Sequence, residues 1–196
     1  MISCVRLTLL ASLALASVAA AAPAAPAATP DPAAPVPAAP IVIANFTEML
    51  PNVYGYGTWQ NAFAVAPKAG FRVLATKGAQ GDGGFCQNLQ PALDLAACTY
   101  IELALAVQPD NQVPEYTITF SDGDGTQCWG RVRVAQLAPG YPVWLRLKRS
   151  DFAVSTRDPG KDGKMDWAKV AQWHLQGDWQ TKQPAQVLFI ALRGRP

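Results

Sequence analysis

The stretch YTITFSDGDGTQCWGRVRV, residues 116–134, decides the fold class because it joins two alternating runs through a tight-turn signal. In the first run apolar residues alternate with threonines, and in the second small or apolar residues alternate with a tryptophan and two arginines. Successive side chains of a strand point to opposite faces, so each run has one apolar face. The Asp-Gly-Asp-Gly sequence at 122–125 favours a hairpin turn because such steps tolerate positive φ. The stretch predicts a β-hairpin at the centre of an antiparallel sandwich.

Short alternating segments recur on both sides of this hairpin. Turn residues such as Gly, Pro, Asn and Asp separate them, and the only predicted helix is a single turn after Asp166. This spacing predicts an all-β fold, an antiparallel β-sandwich. The predicted strands are 41–47, 62–65, 71–77, 84–89, 100–107, 116–121, 127–135, 142–148, 170–176 and 186–193.

The chain before residue 41 has a different composition from the rest. Residues 1–22 place Arg6 before an apolar run and then small residues, which predicts a secretory signal peptide too short to span a bilayer. Residues 23–40 are rich in Ala and Pro and predict a linker, and 41–196 form the sandwich domain. We therefore expect a secreted or periplasmic protein, without a membrane span in its mature form, from a bacterial exporter.

Charge and cysteine content exclude several classes of function. The formal net charge is only +2, so no global field attracts nucleic acid or an anionic bilayer. Cys86, Cys98 and Cys128 follow the signal, and their spacing does not fit a zinc site. An odd number allows at most one intrachain disulfide, Cys86–Cys98 or Cys86–Cys128, and all three could equally be buried and reduced.

From residue 41 a set of short motifs follows in a fixed order. They are Ile43-Ala44-Asn45-Phe46, Gly83-Gly84, Leu93-Asp94-Leu95, the hairpin at 119–125, Leu147-Lys148-Arg149-Ser150-Asp151-Phe152 and Met165-Asp166-Trp167-Ala168-Lys169-Val170. This order resembles the carbohydrate-binding-module and galactose-binding-like jelly rolls, a group that includes the complex I intermediate-associated protein domain. The resemblance implies a jelly-roll sandwich that binds sugars on a concave sheet or at loop tips.

Two departures from this group concern a structural calcium ion. Many members hold calcium between an acidic residue of the first strand and an aspartate of the last strand. In this chain Asn45 stands at the first position, and residues 187–192 contain no carboxylate. Calcium prefers several charged oxygen ligands, so we expect no metal site and no cofactor. The Asp122 and Asp124 pair is better explained by the hairpin turn than by a calcium loop.

The outward-facing residues of the alternating strands predict one candidate binding face, provided that these strands share a sheet. A second candidate is the aromatic segment at 54–59, which includes Tyr56 and Trp59. The predicted face collects two tryptophans, several cations and three polar side chains: Trp129, Arg131, Arg133, Trp144, Arg146, Lys148, Gln172, His174 and Gln176.

This composition suits a glycan. Indole rings cover the apolar face of a sugar, and clustered arginines hydrogen-bond carboxylates or sulfates, so an acidic or sulfated polysaccharide fits best. Two ordinary explanations stay open. Long cationic side chains are common on a solvated sheet face, and Tyr54, Tyr56 and Trp59 could simply pack a sandwich edge.

Catalytic motifs are missing from the sequence. His174 is the only histidine, and no nucleophile elbow, phosphate loop or pair of opposed carboxylates is recognisable. We therefore expect a protein that is not an enzyme, namely an exported glycan-binding module. The alternatives are an assembly domain that binds a protein partner, like the complex I intermediate-associated group, and a hydrolase with a degenerate site.

Overall fold

The computed structural model describes residues 38–48, 50–60 and 79–196, together with the backbone of strands at 63–66 and 71–74. The predicted signal peptide and most of the predicted linker lie outside these residues. Within them, no helix is long and apolar enough to cross a membrane. The described residues form twelve strands and one short 3-10 turn, Arg149–Asp151, so the predicted all-β class is confirmed.

Two antiparallel sheets make up the sandwich. The first sheet has the order β3-β4-β12-β6-β9, and β1 joins the same edge of β12 beyond β4. The second sheet has the order β10-β8-β7-β11-β5-β2. The strands are β1 Ile41–Asn45, β2 Val53–Gly57, β3 Phe63–Ala66, β4 Phe71–Leu74, β5 Gly83–Leu93, β6 Tyr100–Val107, β7 Glu115–Asp122, β8 Thr126–Arg133, β9 Val143–Lys148, β10 Ala153–Pro159, β11 Val170–Gln176 and β12 Val187–Arg195.

Aromatic side chains from both sheets fill the core. Phe85 packs edge-on against Phe46 and Phe189, with ring centroids 5.7 and 5.4 Å apart. Trp59 and Trp173 are completely buried, and a buried indole N–H requires an acceptor. The Trp59 Nε1 donates to the Gln80 carbonyl at 2.6 Å, and the Trp173 Nε1 donates to Gln87 Oε1 at 2.9 Å. The large aromatic cluster is therefore both apolar and hydrogen-bonded at its polar atoms.

The central hairpin forms as predicted, between β7 and β8. Gly125 has a φ of +95°, the left-handed conformation that the Asp-Gly steps favour. The carboxylates of the turn are used locally, because Asp122 accepts the backbone N–H groups of Asp124, Thr126 and Asp166. Asp124 in turn accepts the backbone N–H groups of Thr126 and Lys161. Backbone hydrogen bonds thus account for both aspartates.

The three cysteines of the domain are buried and unpaired in the structure. Burial raises the pKa of each thiol, and for Cys128 it does so to about 12. The sequence left open one disulfide or three reduced cysteines, and in the structure all three are reduced. A thiol with a raised pKa is a poor nucleophile, so these cysteines contribute packing rather than reactivity.

Candidate functional site

The predicted binding residues divide between the outer faces of the two sheets. Trp129 lies on β8 of the second sheet, whereas Trp144 lies on β9 of the first sheet. The strands that carry them do not share a sheet, so the single combined surface does not exist. The alternation itself is correct, because Ile101 and Leu103 point into the core while Trp144 is 48% exposed. The predicted residues therefore lie on two separate surfaces.

The outer face of the second sheet carries a groove of about 540 Å³. A neighbouring depression of about 350 Å³ shares Thr119, Gln127 and Gln176 with it, so the two form one continuous concavity across β8, β7, β11 and β2. We call this surface the groove face. Its ring-bearing and polar lining includes Tyr54, Tyr56, Trp129, Arg131, His174 and Trp179.

Two tryptophans from different elements line the groove. Trp129 projects from β8, and the Arg131 guanidinium lies 5.2 Å from the centre of its ring. Trp179 follows β11, is 52% exposed, and stacks on the Tyr56 ring at 6.0 Å with only 9° between the planes. Flat exposed rings of this kind are platforms for the apolar face of a ligand.

The loop that presents Trp179 is fixed by close backbone packing. A Cβ on Gly177 would collide with the backbone of Gly81, so only glycine fits at this crossing. The Gly177 N–H donates to the Gly83 carbonyl at 2.9 Å, and the Thr181 N–H donates to the Asp178 carbonyl at 3.0 Å. The ring is thereby held against the groove.

A chain of hydrogen bonds runs along the groove floor. The Gln176 Oε1 accepts from Trp179 Nε1 at 3.1 Å, and lies 3.1 Å from the Tyr56 hydroxyl. The Tyr56 hydroxyl is also 3.2 Å from His174 Nδ1, and His174 Nε2 is 2.8 Å from Gln172 Oε1. The Gln172 Nε2 donates to Asn88 Oδ1 at 2.7 Å, which completes the chain. The floor is therefore ordered before any ligand arrives.

The network assigns the protonation of His174. Burial lowers its pKa to about 4, so the ring is neutral at neutral pH. Because the Gln172 oxygen can only accept, His174 Nε2 carries the proton and Nδ1 is an acceptor. The single hydroxyl proton of Tyr56 is shared between two acceptors, His174 Nδ1 and Gln176 Oε1. Burial also raises the pKa of Tyr56. The floor of the groove is thus polar but uncharged.

Charges on the groove wall nearly balance. Arg131 donates to Glu115 at 2.8 Å, and Arg157, Asp158 and Asp178 complete the ionisable lining. Three carboxylates and two guanidiniums leave no positive surplus there. The groove therefore offers little attraction to an anionic ligand.

The outer face of the first sheet has a different organisation, built around one buried carboxylate. Glu102 on β6 is only 3% exposed. The Arg146 Nε and Nη2 donate to its Oε1 at 2.9 and 2.6 Å. The Nε groups of Arg193 and Arg195 donate to its Oε2 at 2.6 and 3.2 Å. We call these residues, with Trp144, Tyr100 and Lys148 beside them, the arginine face.

Rings and guanidiniums on the arginine face cover one another. The Arg193 guanidinium carbon lies 3.6 Å from the centre of the Trp144 ring, and that of Arg146 lies 5.0 Å from the Tyr100 ring. Burial alone raises the pKa of Glu102, but the hydrogen bonds from the three arginines outweigh it and hold that pKa below its ordinary value. The carboxylate therefore stays ionised and binds the three cations.

The structure separates the predicted site residues into four groups. Trp129, Arg131, His174 and Tyr56 line the groove face, and Gln172 supports its floor. Arg133 is exposed at the end of β8, outside both depressions. Trp144, Arg146 and Lys148 belong to the arginine face. Trp59 is fully buried, so of the two interpretations of this residue the structure has the packing one, and its ring is not available to a ligand.

The sequence interpretation missed Trp179 and Arg157. Trp179 lies in a turn after β11, where no alternation fixes the direction of a side chain. Arg157 lies on β10, an edge strand whose exposed residues give no alternating pattern. The neighbouring Gly177-Asp178 pair signalled the turn, but only the contact with Tyr56 reveals that the Trp179 ring faces the groove.

Solved structures with a similar fold include a family 11 carbohydrate-binding module from Clostridium thermocellum, in complex with a beta-1,3-1,4-mixed-linked tetrasaccharide. It is 15% identical, has a TM-score of 0.54, and the match covers 81% of this chain and 96% of that module. The family 11 module of a cellulosomal cellulase from the same organism is 14% identical, with a TM-score of 0.52 and coverage of 80% and 94%. An agarase is 10% identical with a TM-score of 0.51, and the match covers 80% of this chain but 24% of the agarase.

No protein-family model matches the sequence. No curated protein matches it either. At identities this low the structural matches establish the fold alone. The chain has the antiparallel β-sandwich, jelly-roll fold of these modules, as the sequence resemblance implied.

Proposed function

We propose that this protein is a non-catalytic carbohydrate-binding module that holds a neutral polysaccharide in its groove. The observation that carries the proposal is the pair of indole rings on the groove wall, Trp129 and Trp179, above an ordered polar floor. Aromatic rings stack on the apolar face of a sugar, while amide, hydroxyl and imidazole groups hydrogen-bond its hydroxyls. A volume of about 540 Å³ suits a short stretch of sugar units.

The structural neighbours support the same class of ligand. One of them binds a mixed-linked tetrasaccharide, and both modules match this chain over nearly their whole length. Export, which the N-terminal segment at 1–22 suggests, would bring the groove to extracellular or periplasmic polysaccharides.

A neutral ligand is better supported in the groove than the acidic or sulfated one expected from the sequence. That expectation rested on adding Arg146 and Lys148 to Arg131 and Arg133 on one surface. Two of these cations belong to the arginine face, and Arg131 is already paired with Glu115. Removing them from the groove removes the electrostatic reason for an anion there.

The chemistry of the groove supports binding rather than hydrolysis. Glycoside hydrolysis uses two carboxyl groups that face the scissile bond. Of the three carboxylates that line the groove, Glu115 is paired with Arg131, and Asp178 accepts the backbone N–H of Gln180 at 2.9 Å. Asp158 is the one of the three whose carboxylate has no such contact among the described residues, so the groove lacks a second unengaged carboxyl group. A degenerate hydrolase site therefore has little support from these residues.

An assembly domain that binds a protein partner is the less supported alternative. Such an interface needs a contiguous apolar patch. The exposed large apolar side chains of the described residues lie on six different strands and loops: Val42, Tyr54, Tyr141, Trp144, Val154 and Trp179.

Affinity electrophoresis and calorimetry test the proposal. The probes are soluble mixed-linked β-1,3-1,4-glucan, agarose oligosaccharides and dextran, with Trp129→Ala and Trp179→Ala as groove variants. Each variant should weaken binding by about 30-fold, equivalent to about 2 kcal/mol, because the ring loses its stacking contact. Trp144→Ala, an exposed tryptophan on the other sheet, is the matched control. Failure of every neutral glycan to bind, or equal losses in all three variants, would refute the proposal.

A further inference from the structure

The arginine face carries more positive charge than its buried carboxylate can neutralise. Arg146, Arg193, Arg195 and Lys148 surround the single carboxylate of Glu102, which leaves a surplus of three positive charges. The formal net charge of the whole chain is only +2. The surplus on this face therefore exceeds the formal net charge of the whole chain, and it lies on the sheet opposite the groove.

We propose that the arginine face is a second binding surface, for a polysaccharide that bears carboxylate or sulfate groups. The inference does not depend on the groove, because it concerns other residues on another sheet. Guanidinium groups donate paired hydrogen bonds to carboxylates and sulfates. Trp144, 48% exposed beside them, adds a ring for the apolar face of a sugar.

Strand register places these groups on a regular grid. Arg193, Glu102 and Arg146 are paired across β12, β6 and β9. Two residues further along the same strands, Arg195, Tyr100 and Lys148 are paired in the same way. Alternate residues of a strand lie about 7 Å apart, so the cations form two rows separated by about that distance. A linear polymer with anionic groups along its length could contact both rows at once.

Glu102 prepares the arginines for a ligand. It contacts Arg193 and Arg195 through their Nε atoms, and no other described residue accepts from the terminal Nη groups of these two side chains. The buried carboxylate already orders the guanidiniums. Binding a ligand would therefore not carry the full conformational-entropy cost of ordering these side chains. The exposed side chain of Lys148 completes the row beside Tyr100.

The sparse spacing favours a charged polysaccharide over nucleic acid. Duplex DNA carries one charge per about 1.7 Å of its axis and is bound through many cations at once. Four cations on a chain of net charge +2 supply too few contacts for that polymer. A bilayer surface is bound by clusters of about four to eight basic residues, and Glu102 neutralises one of the four cations of this face.

Affinity electrophoresis of the full-length protein tests the inference with dextran sulfate and polygalacturonate, and with neutral dextran as the ligand control. The double variant Arg146→Gln/Lys148→Gln removes two surplus charges and leaves Glu102 bound to Arg193 and Arg195. The matched control, Lys161→Gln/Lys164→Gln, removes two exposed charges from the loop after β10. Unfolding curves of both variants establish that they are folded.

We expect both polyanions to bind, and we expect the retention by neutral dextran to be the same in the face variant as in the wild type. The face variant should bind the polyanions about tenfold more weakly at low salt, whereas the loop variant should match the wild type. Retention of one polyanion only would support the inference and identify its anionic group. Equal losses in the two variants, loss of polyanion binding in Trp129→Ala, or equally tight binding of duplex DNA would overturn it. Because the neutral glucan tests the groove separately, either function can fail alone.

Discussion

The two outer faces of this sandwich are made of the same residue types and differ in what those residues contact. On the arginine face, guanidiniums and rings gather around the buried Glu102, and Arg193 covers the Trp144 ring. On the groove face, Trp179 stacks on Tyr56 and leaves its other side toward open volume. Tryptophans and arginines that alternate along a strand therefore do not by themselves show whether a face would take a neutral or a charged ligand.

The physical difference between the faces is the charge at their centre. A buried carboxylate draws cations inward and fixes them, so the arginine face is held by ion pairs. The groove floor has a neutral histidine and amides, so its side chains are ordered by hydrogen bonds without net charge. The order of the side chains on the arginine face therefore depends on the charge of Glu102. The order of the side chains on the groove floor depends on His174 staying neutral.

The largest expected effect is on the arginine face. Glu102→Ala leaves three guanidiniums together without their counter-ion, and removing one partner of a buried ion pair costs about 3–5 kcal/mol. Because the arginine side chains are 23–56% exposed, we expect the lower end, about 3 kcal/mol of unfolding free energy. Denaturant unfolding measures it. A loss below about 1 kcal/mol would show that the network is not structural, and neutral-glucan binding should not change.

The second effect belongs to the groove floor and depends on pH. The pKa of His174 is lowered to about 4 in the folded state, against about 6.5 unfolded, so the unfolded chain binds more protons between these values and stability falls as pH falls. At pH 5 the loss relative to pH 7 should be about 2 kcal/mol.

Glu102 should not contribute to this change. Its folded pKa is depressed, so its stabilisation is lost only as pH falls below its ordinary unfolded value near 4.5. Denaturant unfolding at pH 7 and pH 5 measures the effect, and His174→Gln is the control that should flatten it. An unchanged slope in that variant would assign the pH dependence to another group.

The smallest effect distinguishes the two tryptophan environments. Trp144→Ala removes the ring under Arg193, and a partly exposed cation–π contact is worth about 1 kcal/mol. We expect a loss of that size in unfolding free energy with no change in binding of neutral glucan. Trp129→Ala should weaken glucan binding, and because Arg131 lies 5.2 Å from its ring centre, against 3.6 Å for Arg193 and Trp144, it should lose less unfolding free energy than Trp144→Ala. If Trp144→Ala weakened glucan binding, the arginine face rather than the groove would hold the neutral glycan.

Local sequence patterns predicted the strands where alternation was strong. The bounds of β6 and β11 are those predicted, and the β7–β8 hairpin differs by only a few residues. Two strands were missed. In β2 two glycines interrupt the alternation of apolar and polar residues. β10 is an edge strand whose residues are almost all exposed, so it has no alternation of buried and exposed positions.

The sequence by itself determined the all-β class, the central hairpin, and which side of each strand faces the core, because these follow from period-two alternation and turn chemistry within a few residues. Only the tertiary structure decided that β9 joins β6 in one sheet while β8 joins β7 in the other. Strand pairing is made by backbone groups that every residue has, between segments far apart in the chain, so alternation cannot choose the partner. That choice separated Trp144 from Trp129, and it brought Trp179 to Tyr56.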